Sequence, residues 1–183
     1  MSDQNFPRRG FLGGVAAFPL AAIEAAAAGT TQVKMKLAVG ADHAGFPLKG
    51  PVIQMLRSWG HTVTDCGTYS TAPVDYPDIA RKVCDEILAG RSQRAILVCG
   101  TGVGAAIAAN KIPKIRAALC HDTFCAHQSV EHDNVNVLCL GAWVIGPKLA
   151  EEVLTAYLNA KFASSDADFQ RRLRKVEEME KRC

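Results

Sequence analysis

From Met35 onward the chain alternates short, unbroken apolar runs with longer amphipathic stretches, and that alternation leaves few architectures open. Lys36–Gly40 (KLAVG), His61–Asp65, Ala95–Cys99 (AILVC), Ile115–Cys120 and Val135–Leu140 read as strands. Pro47–Trp59, Ile79–Leu88, Val103–Lys111, Thr123–Glu131 and Leu149–Lys161 read as helices, with Gly60 and Gly90 placed to end the first two. Gly67–Pro77 is a loop rich in Gly, Ser, Thr and Pro, and Arg171–Lys181 is a charged, helix-favouring tail. A strand that is apolar at nearly every position has no face for water, so it belongs in a parallel sheet covered on both sides. The expected fold is α/β, a Rossmann-like three-layer α/β/α sandwich with a five-stranded parallel sheet. Residues 35–162 form that domain, and 163–183 form a helical tail that completes the domain or a dimer.

Composition narrows the function more than the fold. A net charge of +3, with no basic stripe interleaved with aromatics, gives no footprint for nucleic acid. The seven cysteines are an odd count without a C-x-x-C pair, and several lie in strand-like runs where cysteine acts as a small hydrophobe. That usage fits a reducing compartment.

The first 34 residues read differently. Arg8-Arg9-Gly10-Phe11-Leu12, an apolar stretch to Ile23 and the small residues Ala25 to Gly29 follow the order of a twin-arginine export signal. The apolar part is too short for a stable membrane span. Pro7 and Glu24 depart from the pattern, and translation starting at Met35 is the other reading. The first places the protein in the periplasm, the second in the cytoplasm.

In a parallel sheet the functional groups collect outside the carboxyl ends of the strands. That rule selects Asp42 and His43, Tyr76 in the loop after the second strand, Cys99 to Gly104, and His121 with Asp122. Cys99-Gly100-Thr101-Gly102-Val103-Gly104 is the most pointed of these. Its glycines let backbone approach a ligand, and its position at a helix start should lower the thiol pKa and offer amides to an oxyanion such as an enediolate. The same run satisfies Gly100-x-Gly102-x-x-Ala105, a dinucleotide fingerprint with Asp122 downstream, but it lies in the third βα unit with no second half after it. Asp42 either handles protons or caps the next helix. His121, His127 and His132 with Cys120 and Cys125 match no closed zinc spacing. Asp166 and Asp168 read as a helix start ahead of Arg171 and Arg172, one of which could reach a phosphate.

Met35–Val144 resembles ribose-5-phosphate isomerase B and its relatives, the galactose-6-phosphate isomerase subunits and the erythrulose-phosphate isomerases. The matching segments are Gly40-Ala41-Asp42-His43-Ala44-Gly45, Asp75-Tyr76-Pro77, Cys99 to Gly104, Ala108-Ala109-Asn110-Lys111, and Glu131-His132-Asp133-Asn134 running into Asn136-Val137-Leu138. The resemblance implies an aldose–ketose isomerase acting on a small sugar phosphate such as ribose 5-phosphate, without metal or organic cofactor. It also implies a homodimer or tetramer whose sites are built from two chains. By position, Cys99 would be the base, and Thr101 with the amides of Gly100, Gly102, Val103 and Gly104 would stabilise the cis-enediolate. Asp42 and His132 would assist ring opening, Tyr76 would contact substrate, and His43 would help to hold phosphate.

Three positions depart from that family pattern. Trp143 stands where arginine is usual, Asp133 stands where the segment usually carries Asn before Asn134, and Asp168 stands four residues before Arg172, where the first of two clamp arginines would fall. The chain therefore reads as a conventional isomerase with arginines supplied from shifted positions such as Arg171 and Arg172. The alternatives are an exported isomerase of an unphosphorylated sugar, with Trp143 against the ring, or a sugar-binding module without turnover.

Overall fold

The computed structural model describes residues 33–181, so the arginine pair, the leader and Cys183 lie outside the described residues. Among the described residues five strands and six helices follow one another as β1 (Lys36–Ala41), α1 (Phe46–Ser58), β2 (Thr62–Asp65), α2 (Tyr76–Leu88), β3 (Arg94–Cys99), α3 (Val103–Ala109), β4 (Ala117–Leu119), α4 (Thr123–Asp133), β5 (Val137–Gly141), α5 (Pro147–Asn159) and α6 (Ala167–Glu180). All strand pairs are parallel, in the order β2-β1-β3-β5-β4. Alternate residues of each central strand face opposite ways, which is why the runs had to be apolar throughout. Leu37, Val39, Ile96, Val98, Leu138 and Leu140 pack under α1, α4 and α5. Ala38, Ala95, Leu97, Cys99, Val137 and Cys139 pack under α2 and α3. This is the expected three-layer sandwich.

The strand order places the site. After β1 the chain turns one way to β2, then crosses back to β3 on the other flank of β1. The crevice where the order reverses lies between the carboxyl ends of β1 and β3, and those ends are Ala41 and Cys99.

The differences from the sequence reading lie at element ends. Tyr76 and Pro77 open α2 instead of closing a loop, and Pro147 opens α5, because the first helical turn tolerates a residue without an N–H. α4 continues to Asp133, where Asn134 takes the left-handed conformation (φ 51°). β4 is shorter than Ile115–Cys120, and before its start the Arg116 amide bonds a side chain in place of a β5 carbonyl. Asn110 donates to the Ala117 carbonyl and accepts its amide, both at 2.8 Å, and Asn136 accepts the Arg116 amide. Asn110 thereby occupies an edge that would otherwise be open to pairing. α6 begins at Ala167, with Asp166 capping it by accepting from the Asp168 and Phe169 amides.

Candidate active site

The loop that leaves β1 folds back on β3. A Cβ on Gly45 would run into the Val98 carbonyl and the Cys99 amide, so only glycine lets the backbones lie this close. Asp42 accepts the Gly45 amide on Oδ1 at 2.8 Å and the Cys99 thiol on Oδ2 at 2.8 Å. It is buried, and it closes the turn at Gly45 without capping α1, whose N-cap is Gly45 with no side-chain bond.

Cys99 is buried at the tip of β3, and its environment opposes the lowered pKa expected from the helix start. Burial pushes the thiol up, the hydrogen bond to Asp42 and that carboxylate's charge push it further, and the Gly102 and Gly100 amides pull it back only in part. The resting group is a thiol with its proton directed at Asp42. Gly102 takes φ +82° as it caps α3, a left-handed conformation that aims the loop. The Thr101 hydroxyl accepts from the Val103 amide at 3.4 Å.

Three further side chains line this end. His43 accepts the Val74 amide on Nδ1 at 3.3 Å, which leaves the ring hydrogen on Nε2 as a donor. The Tyr76 ring lies over Gly104, about where a Cβ would meet it at 3.0 Å. The Trp143 ring lies on Gly100 in the same way, yet 75% of the residue is exposed, so one face is free beside Cys99.

His132, Asp133, Asn134 and Arg172 are elsewhere. α4 starts at the carboxyl edge of the sheet and runs antiparallel to the strands for 11 residues, about 16 Å, ending at the amino edge just before β5. There His132 stacks on Phe169 of α6, with ring centroids 4.0 Å apart. Asp133 and Arg172 line a cavity of about 670 Å3 together with Asn110, Lys111 and Arg116. Asn134 accepts Arg116 Nε through its carbonyl at 2.8 Å. In one chain, therefore, the residues expected at a single site fall into two groups at opposite ends of the sheet. The arginines of α6 are also held locally: Asp168 pairs with Arg171 and, at 3.6 Å, with Arg172.

Asp122 caps α4 by accepting the Cys125 amide at 2.7 Å, which removes it from the ribose-binding task of a dinucleotide site. Among the described residues no group of three His, Cys, Asp or Glu is placed to hold a metal, and no helix is long and apolar enough to cross a membrane. Sequence reasoning gave no role to Phe169 or Gly141 and took Gly45 only as part of a matching segment. Their only signal is local, an aromatic three residues from Arg172 and glycines next to strand ends.

Residues 37–176 match the ribose/galactose isomerase family. A D-erythrulose-4-phosphate isomerase of Pectobacterium atrosepticum is 46% identical over 132 residues, 70% of this chain and 85% of its own length. Ribose-5-phosphate isomerase B of Escherichia coli is 42% identical over 127 residues, 69% of this chain and 85% of that protein. The solved structure of ribose-5-phosphate isomerase B from Clostridium thermocellum matches with a TM-score of 0.78 at 40% identity, covering 81% of this chain and 99% of that one.

Proposed function

The chain belongs to the ribose/galactose isomerase family, and from that premise we propose that it interconverts a small aldose phosphate and its ketose, with Cys99 as the base. Ribose 5-phosphate and erythrulose 4-phosphate, named for relatives of this chain, are the first substrates to consider. The observation that carries the reading is the Cys99 thiol donating to Asp42 beneath the Gly100 and Gly102 amides at the switch point of the sheet.

The chemistry follows from that arrangement. Asp42 takes the thiol proton as substrate displaces water, and the thiolate is held by the two amides. The thiolate then removes the hydrogen on C2 of the aldose, and the carbonyl oxygen becomes an oxyanion facing the loop amides and Thr101. Passing the O2 hydroxyl proton to O1 and returning the carbon-bound proton to C1 gives the ketose. No oxidant enters, because the electron pair of the C2–H bond moves into the enediolate and comes back at C1.

The second group supplies the rest of the reading. His132, Asp133, Asn134 and Arg172 lie at the far edge of the sheet, so they serve a substrate at Cys99 only from a second copy of the chain. A closed two-fold dimer brings each copy's far edge to the other's crevice and makes two equal sites. Ring opening by His132 and phosphate binding by Arg172 and His43 then come from two chains.

One observation favours a different substrate class within the same activity. Trp143 presents an exposed aromatic ring where the family pattern has an arginine, and Asp168 pairs with Arg171 and Arg172. An unphosphorylated sugar would suit that surface. kcat/KM on ribose 5-phosphate and erythrulose 4-phosphate, beside ribose and erythrulose, decides between them. A preference of about 100-fold or more for the phosphates, worth about 3 kcal/mol, is expected from the first reading. Equal rates would move the assignment to free sugars, and no turnover of any of them would refute both.

A further inference from the structure

His121 lies where β4 leaves the sheet, and its Nε2 accepts the Gly141 amide at 2.9 Å. The position is unusual for a side chain. The β4–β5 ladder ends with Leu119 opposite Cys139 and a 3.3 Å bond from the Cys120 amide to the Cys139 carbonyl. Beyond it the chain turns into α4, so no backbone carbonyl of β4 reaches the Gly141 amide, and the imidazole takes that place.

Gly141 is a pivot. On its other side it is in register with Cys99, the Ala142 amide donates to the Cys99 carbonyl, and the Trp143 amide donates to the Gly100 carbonyl, both at 2.9 Å. A Cβ on Gly141 would stand 2.7 Å from the Thr101 carbonyl oxygen and 3.0 Å from His121 Nε2. His121, Gly141 and the Thr101 backbone therefore form one contiguous stack, with the glycine pressed between ring and loop.

We propose that His121 is a positioning residue for the glycine loop: by holding the Gly141 amide it keeps the Thr101 backbone seated, so that the Gly100 and Gly102 amides stay aimed at the Cys99 sulfur. The inference rests on the reading of Cys99 and its loop as the reacting centre. Because Nε2 is the acceptor, the ring is neutral with its hydrogen on Nδ1. Asp122 does not set that orientation, since its carboxylate is committed to the α4 cap. The imidazole touches no reacting atom and acts through the loop.

The test compares His121→Gln, which keeps an acceptor at about the same reach, with His121→Phe, which keeps a ring and removes the acceptor. His121→Phe is expected to lower kcat by about 10- to 100-fold with KM within about threefold, a partial loss of oxyanion donors. His121→Gln is expected to recover most of it. Independently of turnover, alkylation of the Cys99 peptide by iodoacetamide, followed by mass spectrometry, is expected to slow in His121→Phe and recover in His121→Gln. Should His121→Phe not fold, His121→Asn, too short to reach the Gly141 amide, carries the same expectation. Unchanged kcat and alkylation in a folded variant lacking the acceptor overturn the proposal, as does equal loss in the Gln and Phe variants, which would mark mere packing. If the native protein turns over no sugar, the alkylation series still decides the loop's dependence on His121, and the two failures stay distinct.

Discussion

Gly102→Ala tests whether the loop geometry at Cys99 is imposed by backbone conformation. At φ +82° an alanine is in the left-handed region, which costs an L-residue about 1–2 kcal/mol. Its Cβ would fall 2.5 Å from Leu119 Cδ1 and 3.1 Å from the Leu140 carbonyl. Leu119 is partly exposed and can swing aside, whereas the carbonyl belongs to β5 and is fixed in the ladder. A close contact of that kind adds about 1–2 kcal/mol, for a total of about 2–4 kcal/mol. At about 2–4 °C per kcal/mol for a domain of this size, Tm should fall by about 5–15 °C. Activity measured well below that melt should fall further than stability suggests, by about 100-fold in kcat, because the Gly102 amide that faces the sulfur moves with the strain. Gly102→Asn, which tolerates the left-handed region better, should lose less stability and as much activity. A Gly102→Ala protein melting within 2 °C or so of the native one, with kcat unchanged, would refute the reasoning.

Two further outcomes follow from the fold. If each site draws on two chains, inactive Cys99→Ser and His132→Ala proteins refolded together should recover about a quarter of native activity, since half the dimers are mixed and each holds one intact site; activity no greater than the sum of the parents would place the site within one chain. Stability should fall as pH drops from 7 toward 5.5: burial holds the His61 pKa below its ordinary value, so the neutral ring contributes stability above about 6.5 that is lost as pH falls through the folded value. His61 accepts the Met35 amide on Nδ1 at 3.1 Å, and protonation breaks that bond. Urea midpoints should show a steeper acid loss in the native protein than in His61→Gln, and parallel curves would remove His61 from the account.

The sandwich was legible because a parallel sheet buries both faces of its strands, so the apolar runs announce themselves without partners. Tyr76 was misplaced because Pro77, read as a breaker, is equally a helix opener, and only the packing of α2 on the sheet decides between the two. The shortening of β4 was invisible because the group that takes the Arg116 amide before the strand is a side chain, Asn136, outside any strand period. The thiol of Cys99 was misjudged for a related reason. A helix start is a local feature, but the carboxylate that receives its proton lies 57 residues away, and burial depends on two helices packed over the strand tip. The direction of α4 does place His132 and Asn134 at the far edge of the sheet, an inference available once the strands are known to be parallel.

The central claim is that Cys99 moves the proton. The direct measurement is isomerisation of ribose 5-phosphate and erythrulose 4-phosphate by the native protein and by Cys99→Ser, with exchange into solvent of the C2 hydrogen of ribose 5-phosphate and of a C1 hydrogen of erythrulose 4-phosphate followed in the same samples. The account predicts turnover with exchange in the native protein, and a loss of about 1000-fold or more in both for Cys99→Ser with the melting curve preserved. A folded Cys99→Ser protein that isomerises and exchanges within about tenfold of native would contradict it and assign the base elsewhere.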